Sequence, residues 1–380
     1  MGNEHSAAQA WSYLCEGGHP LAHALIEATS YEQALSWVKE YGTHSQLSDE
    51  IEEAIQRSGA RGDYVQRTMQ AWQLRLASYQ EMSTFTMKRM GISFLIPGDK
   101  QWPFSLDDLS APVFGLWIRG DVDVLSRPAI SLVGSRAASS YGKRIARNLA
   151  CDLSDTHIIV SGGAFGIDAQ AHLGALHNGK QTVIVSAGGV DRPYPLAHSD
   201  LFNATIARGA ILSESPPGAA PQRHRFLSRN RIIAALGSGT VVVEAPSRSG
   251  ALSTARHAID CGRPVGACPG LVDTPVADGC HLLIRNGATL IRNSADVREL
   301  VSWQQLTLST GEGEDIFQMP DDGFDKILEQ VWEAIPLTCA ATASSIARVA
   351  GVSEREALVK LARLELLGRA RNVPTGWRRV

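Results

Sequence analysis

From Ala129 onward the chain alternates short β-branched runs with amphipathic stretches of helical spacing, and this alternation limits the fold more than any other feature. The runs are Ile130–Val133, Ile158–Val160, Thr182–Val185, Ile211–Leu212, Thr240–Val243, Pro264–Val265 and Thr289–Ile291. Between them lie Lys143–Leu153, Asp168–His177, Leu196–Ala207 and Leu252–Asp260, where apolar residues recur every three to four positions. Strands separated by helices need crossover connections, which are right-handed and build a mostly parallel sheet covered on both faces. The expectation is an α/β, Rossmann-like domain over residues 96–304.

The flanks read differently. Residues 1–95 carry helical periodicity in Leu21–Ile26 and again in Tyr64–Leu76, and Pro97, Pro103 and Pro112 punctuate the boundary that follows. Residues 305–323 form a polar, acidic linker containing Glu312, Glu314, Asp315, Asp321 and Asp322. Beyond it, 324–335, Thr342–Ala350 and Ser353–Leu367 read as three helices and 369–380 as a small hairpin. Gly351 in the short connection between the last two helices gives a helix-turn-helix with a wing.

The densest chemical signal is Arg223-His224-Arg225-Phe226-Leu227-Ser228-Arg229-Asn230-Arg231, four guanidinium groups and one aromatic ring in nine residues. We read it as a loop ahead of the apolar run Ile232–Leu236. Arginines this close repel one another unless an anion or a set of carboxylates sits among them, and phosphate fits a planar guanidinium bidentately. Phe226 offers a base a stacking surface; the alternative is a solvated loop with Phe226 in the core. A formal net charge of −3 gives no global pointer to nucleic acid, but an acidic average can hide a basic groove.

Two further segments sit where a doubly wound sheet presents its ligand crevice, just after strands. Gly134-Ser135-Arg136 follows the first run and offers a small residue, a hydroxyl and a guanidinium as a phosphate clamp. Ser161-Gly162-Gly163 follows the second, where consecutive glycines let backbone N–H groups approach an anion. Asp168 and His172, one turn apart, lack a third ligand and read as structural rather than metal-binding.

Several classes lose support. No GxxxxGK[ST], no GxGxxG after a strand, no GxSxG and no HExxH is present, so ATP hydrolysis, dinucleotide chemistry and the common hydrolase sites have no anchor. The six cysteines, at 15, 151, 261, 268, 280 and 339, show no CxxC spacing and read as reduced core residues. Apolar runs stay short of the ~18 to 20 residues that a membrane helix needs.

Taken in order, Ser161-Gly162-Gly163-Ala164 with Gly166-Ile167-Asp168 and Ala171-His172, Tyr194-Pro195, Ser213-Glu214, Phe226 with Arg229-Asn230-Arg231, Val243-Glu244-Ala245, Ser249-Gly250-Ala251-Leu252 and Gly262-Arg263-Pro264-Val265 closely resemble the DNA-processing protein A family (DprA, also called Smf). The resemblance covers the middle domain with order and spacing intact. The first helices resemble the family's SAM-like or helix-hairpin-helix module more loosely, and residues 324–380 its winged helix.

The resemblance implies a non-enzymatic, cytoplasmic protein without a cofactor, a homodimer through its Rossmann-like domain. It would bind single-stranded DNA entering during natural transformation, protect it and help load RecA recombinase. By position, Gly134, Ser135 and Arg136 would hold a phosphate, Phe226 would stack on a base, Arg229 and Arg231 would meet the backbone, and Arg223 and Asn230 would complete the site. Two rivals stand beside this reading. One is a phosphoribohydrolase for nucleoside monophosphates on the same sheet, whose P-G-G-x-G-T signature is replaced here by Ala245-Pro246-Ser247-Arg248-Ser249-Gly250. The other is a winged-helix regulator reading duplex DNA through Ser353–Leu367, where Arg355, Lys360 and Arg363 are mixed with Glu354, Glu356 and Glu365.

Overall fold

The structure is a computed structural model that describes residues 3–42, 49–309, 328, 331–332, 334–336, 340–366, 369–373 and 376–379. The chain divides into two compact units, Met1–Ser309 and Thr310–Val380.

Unit 1 is built on a nine-stranded sheet. In chain order its strands are β1 (Ile92–Leu95), β2 (Leu116–Gly120), β3 (Ala129–Gly134), β4 (Ile158–Ser161), β5 (Thr182–Val185), β6 (Ala210–Ser213), β7 (Thr240–Glu244), β8 (Val265–Ala267) and β9 (Thr289–Leu290). They lie in the order β1-β2-β6-β5-β4-β3-β7-β8-β9. From β6 to β9 every pairing is parallel. The seven runs read from the sequence are these seven strands. In the central strands the β-branched residues persist because both faces are buried. Val241 and Val243 pack on one face with Ile130, Leu132 and Ile159, while Val242 packs on the other with Val133, Val160 and Val183.

Helices α7 (Ser140–Leu153), α8 (Ile167–His177) and α9 (Ser199–Arg208) and helices α10 (Arg223–Leu236), α11 (Gly250–Asp260) and α12 (Asp278–Arg285) supply the layers; α7 and α8 bury Ala146, Leu149, Ala171 and Ala175 against the first face. α10 and α11 bury Ile232, Ile233, Ala251 and Ala255 against the second. Helix α13 (Ser294–Ser309) adds Val297 and Val301 to the first face and runs into the segment read as an acidic linker. The rest of that linker, residues 310–323, lies outside the described residues.

Two features of unit 1 depart from the sequence reading. β1 and β2, flanking the prolines at 97, 103 and 112, form an antiparallel edge, and β2 pairs antiparallel with β6 through Trp117↔Ser213 and Ile118↔Leu212. The punctuated segment is thus a connection within one sheet. Of the six N-terminal helices, α1 (Asn3–Leu14), α2 (Pro20–Ala28), α3 (Tyr31–Glu40), α4 (Asp49–Arg57) and α5 (Gly62–Ser78) close around Trp11, Leu14, Leu25 and Trp72, while α6 (Thr84–Met90) packs Met87 with Ile92, Phe94 and Trp117. They also reach the sheet, where Trp117 Nε1 donates to Ser12 Oγ at 3.1 Å.

In unit 2, α14 (Ala343–Ala350) and α15 (Glu354–Leu366) precede the antiparallel pair β10 (Ala370–Val373) and β11 (Gly376–Arg379). Gly351 ends α14 at φ +71°, a left-handed cap that suits glycine. Most of the segment 324–335 lies outside the described residues.

Candidate nucleic-acid interface

β3 is the first parallel strand. The chain then adds β4, β5 and β6 on one side of it before crossing back to lay β7, β8 and β9 on the other. The loops leaving the carboxyl ends of β3 and β7 therefore diverge, and a crevice opens between them, the place where open α/β sheets hold ligands. A cavity of about 720 Å³ occupies this switch point, lined by Gly134, Ser135, Arg136, Asp168, Tyr194 and Arg223, by Phe226, Arg229 and Asn230, and by Arg248, Ser249 and Gly250. The first turns of α8, α10 and α11 all contribute to it, so the positive ends of three helices face the space.

The arginine-rich segment is the first half of α10 and not a loop. Arg, Leu, Ser and Asn all tolerate a helix, Pro221 stands just before it and Gly237 just after, and no breaker interrupts residues 222–236. Helical periodicity sorts the side chains. Arg223, Phe226, Asn230 and Ile233, at spacings of three and four, share the cavity side. Arg225 and Arg231 fall on other faces and meet carboxylates there.

Arg225 closes a bidentate pair on Glu16, with Nε 3.0 Å from Oε1 and from Oε2 and Nη2 2.7 Å from Oε1; its Nη1 donates to Ala220 O at 2.8 Å. His224 Nε2 lies 3.4 Å from the same carboxylate. Burial pushes the Glu16 carboxyl up, but the hydrogen bonds from Arg225 and His224 outweigh it and hold it below the usual range. Arg231 is buried and donates to Glu214 Oε1 at 2.6 Å. Burial pushes the Glu214 carboxyl up and Arg231 opposes it. Arg231 is thus placed behind the cavity, bound to its carboxylate, and not in the phosphate-facing position assigned from sequence.

Arg229 forms the cavity's base. It is buried, and its Nη1 donates to Gly162 O at 3.0 Å and to Val185 O. Burial pulls its guanidinium down to about 10, with Asp168 opposing the shift and Arg136 adding to it, so it stays cationic at neutral pH. Gly162 is what lets it lie there: a Cβ at that position would come within 2.5 Å of the guanidinium nitrogens. This also corrects the reading of Ser161-Gly162-Gly163 as an anion cradle. The loop turns the Gly162 carbonyl, not its N–H, toward a cation, Gly163 O faces His198 Nδ1 at 3.0 Å, and the Ser161 hydroxyl donates to Leu132 O. None of the three lines the cavity.

Asp168 and His172 have structural surroundings. Burial raises the Asp168 carboxyl, and Arg229 works against that. Thr182 Oγ1 donates to Ile159 O, so His172 Nδ1, at 2.8 Å, carries the proton and donates to Thr182. Burial, with the charge of Arg229, pulls the His172 imidazole down to about 3. Asn230 Nδ2 donates to Gly250 O at 3.2 Å and ties α10 to the start of α11.

At the mouth, the Arg136 guanidinium lies 4.7 Å above the centroid of Phe226, within cation–π range, and the Tyr194 ring lies 5.6 Å from Phe226 on a tilted plane. Phe226 is half-buried, so its ring is a wall of the cavity and not part of the core. Arg136, Arg223 and Arg248 are exposed and form no salt bridge among the described residues, although the charge of Arg136 reaches the Asp168 carboxyl. Of the residues singled out from sequence, the structure brings together Gly134, Ser135, Arg136, Arg223, Phe226, Arg229 and Asn230. It adds Arg248 and Tyr194. Arg248 had a signal: Ser247-Arg248-Ser249, after β7, repeats the hydroxyl-and-arginine pattern of Ser135-Arg136 after β3.

Known proteins resemble the chain over this domain and beyond. Residues 93–302 match the family model described as DNA recombination-mediator protein A. A putative DNA processing protein DprA of Mycobacterium tuberculosis is 36% identical over 392 aligned positions, covering 98% of this chain and 94% of that protein. The X-ray structure of DNA processing protein A from Streptococcus pneumoniae superposes with a TM-score of 0.58 at 32% identity, covering 73% of this chain and 95% of the other. That of DNA processing protein A from Helicobacter pylori, described for its single-stranded DNA binding mode, superposes with a TM-score of 0.50 at 29% identity, covering 57% and 96%.

Proposed function

Because the chain belongs to the DNA recombination-mediator protein A family, we propose that the cavity at the β3/β7 switch point is where it holds single-stranded DNA. A part in DNA processing and recombination comes with that membership. The finer reading is ours: the protein binds single strands entering the cell during natural transformation, shields them and hands them to RecA recombinase, as a non-enzymatic homodimer of the cytoplasm. Among the described residues no helix is long and apolar enough to cross a membrane.

The observation that carries the reading is the pairing of exposed cations with a half-buried aromatic ring in one crevice. Arg136, Arg223 and Arg248 line the same cavity as the half-buried Phe226 ring, and none of the three forms a salt bridge among the described residues. Phosphate and a base face are common to every nucleotide, so this combination binds strands without reading their sequence. A base is available for stacking only when it is unpaired, which favours single strands. Arg229 adds positive potential from below while fastening the Ser161–Ala164 turn, and Ser135 and Gly134 keep the β3 end compact beneath Arg136.

Fluorescence anisotropy with one oligonucleotide, alone and annealed to its complement, tests this. The single strand should bind more tightly, and log K should fall with log salt by roughly 0.7 per phosphate contacted. Equal or tighter binding of the duplex would overturn the assignment.

A further inference from the structure

A second cavity, of about 530 Å³, opens beside the first between the start of α7 and the segment that follows β8. Its size falls within the range of small-ligand sites, roughly 300 to 1,000 Å³. Val243, Cys268, Val276 and Ala277 make most of its wall apolar. Its floor holds one carboxylate: Glu244 Oε1 accepts the Ser139 N–H at 2.9 Å, and Oε2 accepts the Ser139 hydroxyl. Glu244 is only 4% exposed, but a carboxylate offers about four lone-pair sites, so Ser139 does not exhaust its acceptor capacity.

The rim repeats the first site. Tyr141 is 41% exposed, its ring held by a hydrogen bond from its hydroxyl to Pro269 O at 3.0 Å. The Arg144 guanidinium lies 5.7 Å from that ring's centroid, as Arg136 lies over Phe226. Lys143 and Arg144 are exposed and have no carboxylate partner among the described residues. Opposite Tyr141, Leu271 is 75% exposed. Residues 134–137 line the first cavity and Ser139 the second, and Arg136 to Ser139 span at most about 11 Å of extended chain, so the two openings lie within reach of one strand.

We propose that this cavity takes a second nucleobase of the same single strand, with Tyr141 as its stacking surface, Glu244 as an acceptor for a base N–H, and Lys143 and Arg144 on the flanking phosphates. The proposal rests on the reading of the first cavity as a single-strand site. A nucleobase suits the pocket better than an apolar peptide side chain, because its flat face matches the exposed Tyr141 ring and the basic rim suits a phosphodiester.

The test uses the full chain and two labelled oligothymidylates, one of about 3 nucleotides and one of about 12, with melting curves to confirm folding. Tyr141→Ala removes the platform and Thr274→Trp fills the cavity from its rim. Both should weaken the longer strand about fivefold or more, the lower end of what one stacked base contributes, and leave the shorter one within about twofold. Tyr141→Phe, which keeps the ring, should bind both like wild type. Phe226→Ala should weaken both lengths. If it does so while Tyr141→Ala and Thr274→Trp bind the longer strand normally, the second subsite is overturned alone. If Tyr141→Ala weakens both lengths equally, Tyr141 acts through the fold or the first cavity, which also overturns it. No loss with any of the three overturns the first cavity's reading and this one with it.

Discussion

Arg231 and Arg136 look interchangeable in the sequence, and the structure predicts opposite phenotypes for their removal. Arg231 is 5% exposed and bound to Glu214 at 2.6 Å, with the Glu214 side chain only 12% exposed. Truncating it to Ala leaves a buried carboxylate without its cation, and breaking a buried pair from one side costs about 3 to 5 kcal/mol. Unfolding entropy runs near 2.1 cal/mol/K per residue, so for the 309 residues of unit 1 the loss amounts to a fall of about 5 to 8 °C in melting temperature. Removing both charges in Arg231→Met with Glu214→Gln should recover most of it, because no unpaired charge then remains. Affinity for single strands, measured on the folded fraction, should stay close to wild type. Scanning calorimetry and anisotropy on the single and double variants measure both quantities. A variant that melts like wild type but loses strand binding would refute the argument and return Arg231 to the phosphate contacts.

Arg136→Ala, Arg223→Ala and Arg248→Ala should each reduce the log–log salt slope of single-strand binding by roughly 0.7 with little change in melting, since each guanidinium is exposed; an unchanged slope removes that residue from the phosphate contacts. Phe226→Ala should cost about 1 to 3 kcal/mol of binding and little stability, because the ring sits half-exposed between Arg136 and Tyr194; a large drop in melting with affinity retained would make it a core residue. His172, at about 3 in the folded state against an ordinary 6.5, is protonated more readily when unfolded. Its stabilising contribution is therefore complete above about pH 6.5 and is lost as pH falls toward 3, at about 1.4 kcal/mol per unit. Urea melts at pH 7 and 4.5 should show His172→Asn losing less stability on acidification than wild type; equal losses would refute it.

The central parallel strands are legible because burial on both faces writes a β-branched run into them, as in Val241-Val242-Val243, whereas β9, Thr289-Leu290, lies exposed at the edge. β1 and β2 carry no such mark. Ile92-Ser93-Phe94-Leu95 and Leu116-Trp117-Ile118-Arg119 become strands by pairing with each other and with β6, across a connection of some twenty residues punctuated by prolines. α10 was obscured by its own charge, although Pro221 and Gly237 bracket it. At the site, Gly134-Ser135-Arg136 and Phe226 are local motifs and could be read locally. The partners of Arg231 and Arg225 could not: Glu214 lies 17 positions away and Glu16 lies 209 away.

Those two carboxylates explain how a chain with a net charge of −3 presents a basic crevice. Four arginines on one helix would repel, and the repulsion is relieved by the periodicity of the helix. Arg225 and Arg231 turn to carboxylates outside the cavity, Arg229 turns to carbonyls beneath it, and Arg223 remains free. The N-terminal helices take part directly, because the turn after α1 supplies Glu16 and then passes so close to Glu214 that a Cβ on Gly17 would lie 2.1 Å from Oε1. Arg225 in turn holds Ala220 O, just ahead of Pro221 at the cavity edge. The helical segment thus fixes α10 from behind while contributing no lining residue of its own. The cations left for a ligand, at 136, 223 and 248, come from the end of β3, the start of α10 and the loop after β7. They converge only because the strand order reverses between β3 and β7, so the crevice is a property of the sheet's topology before it is a property of any one motif.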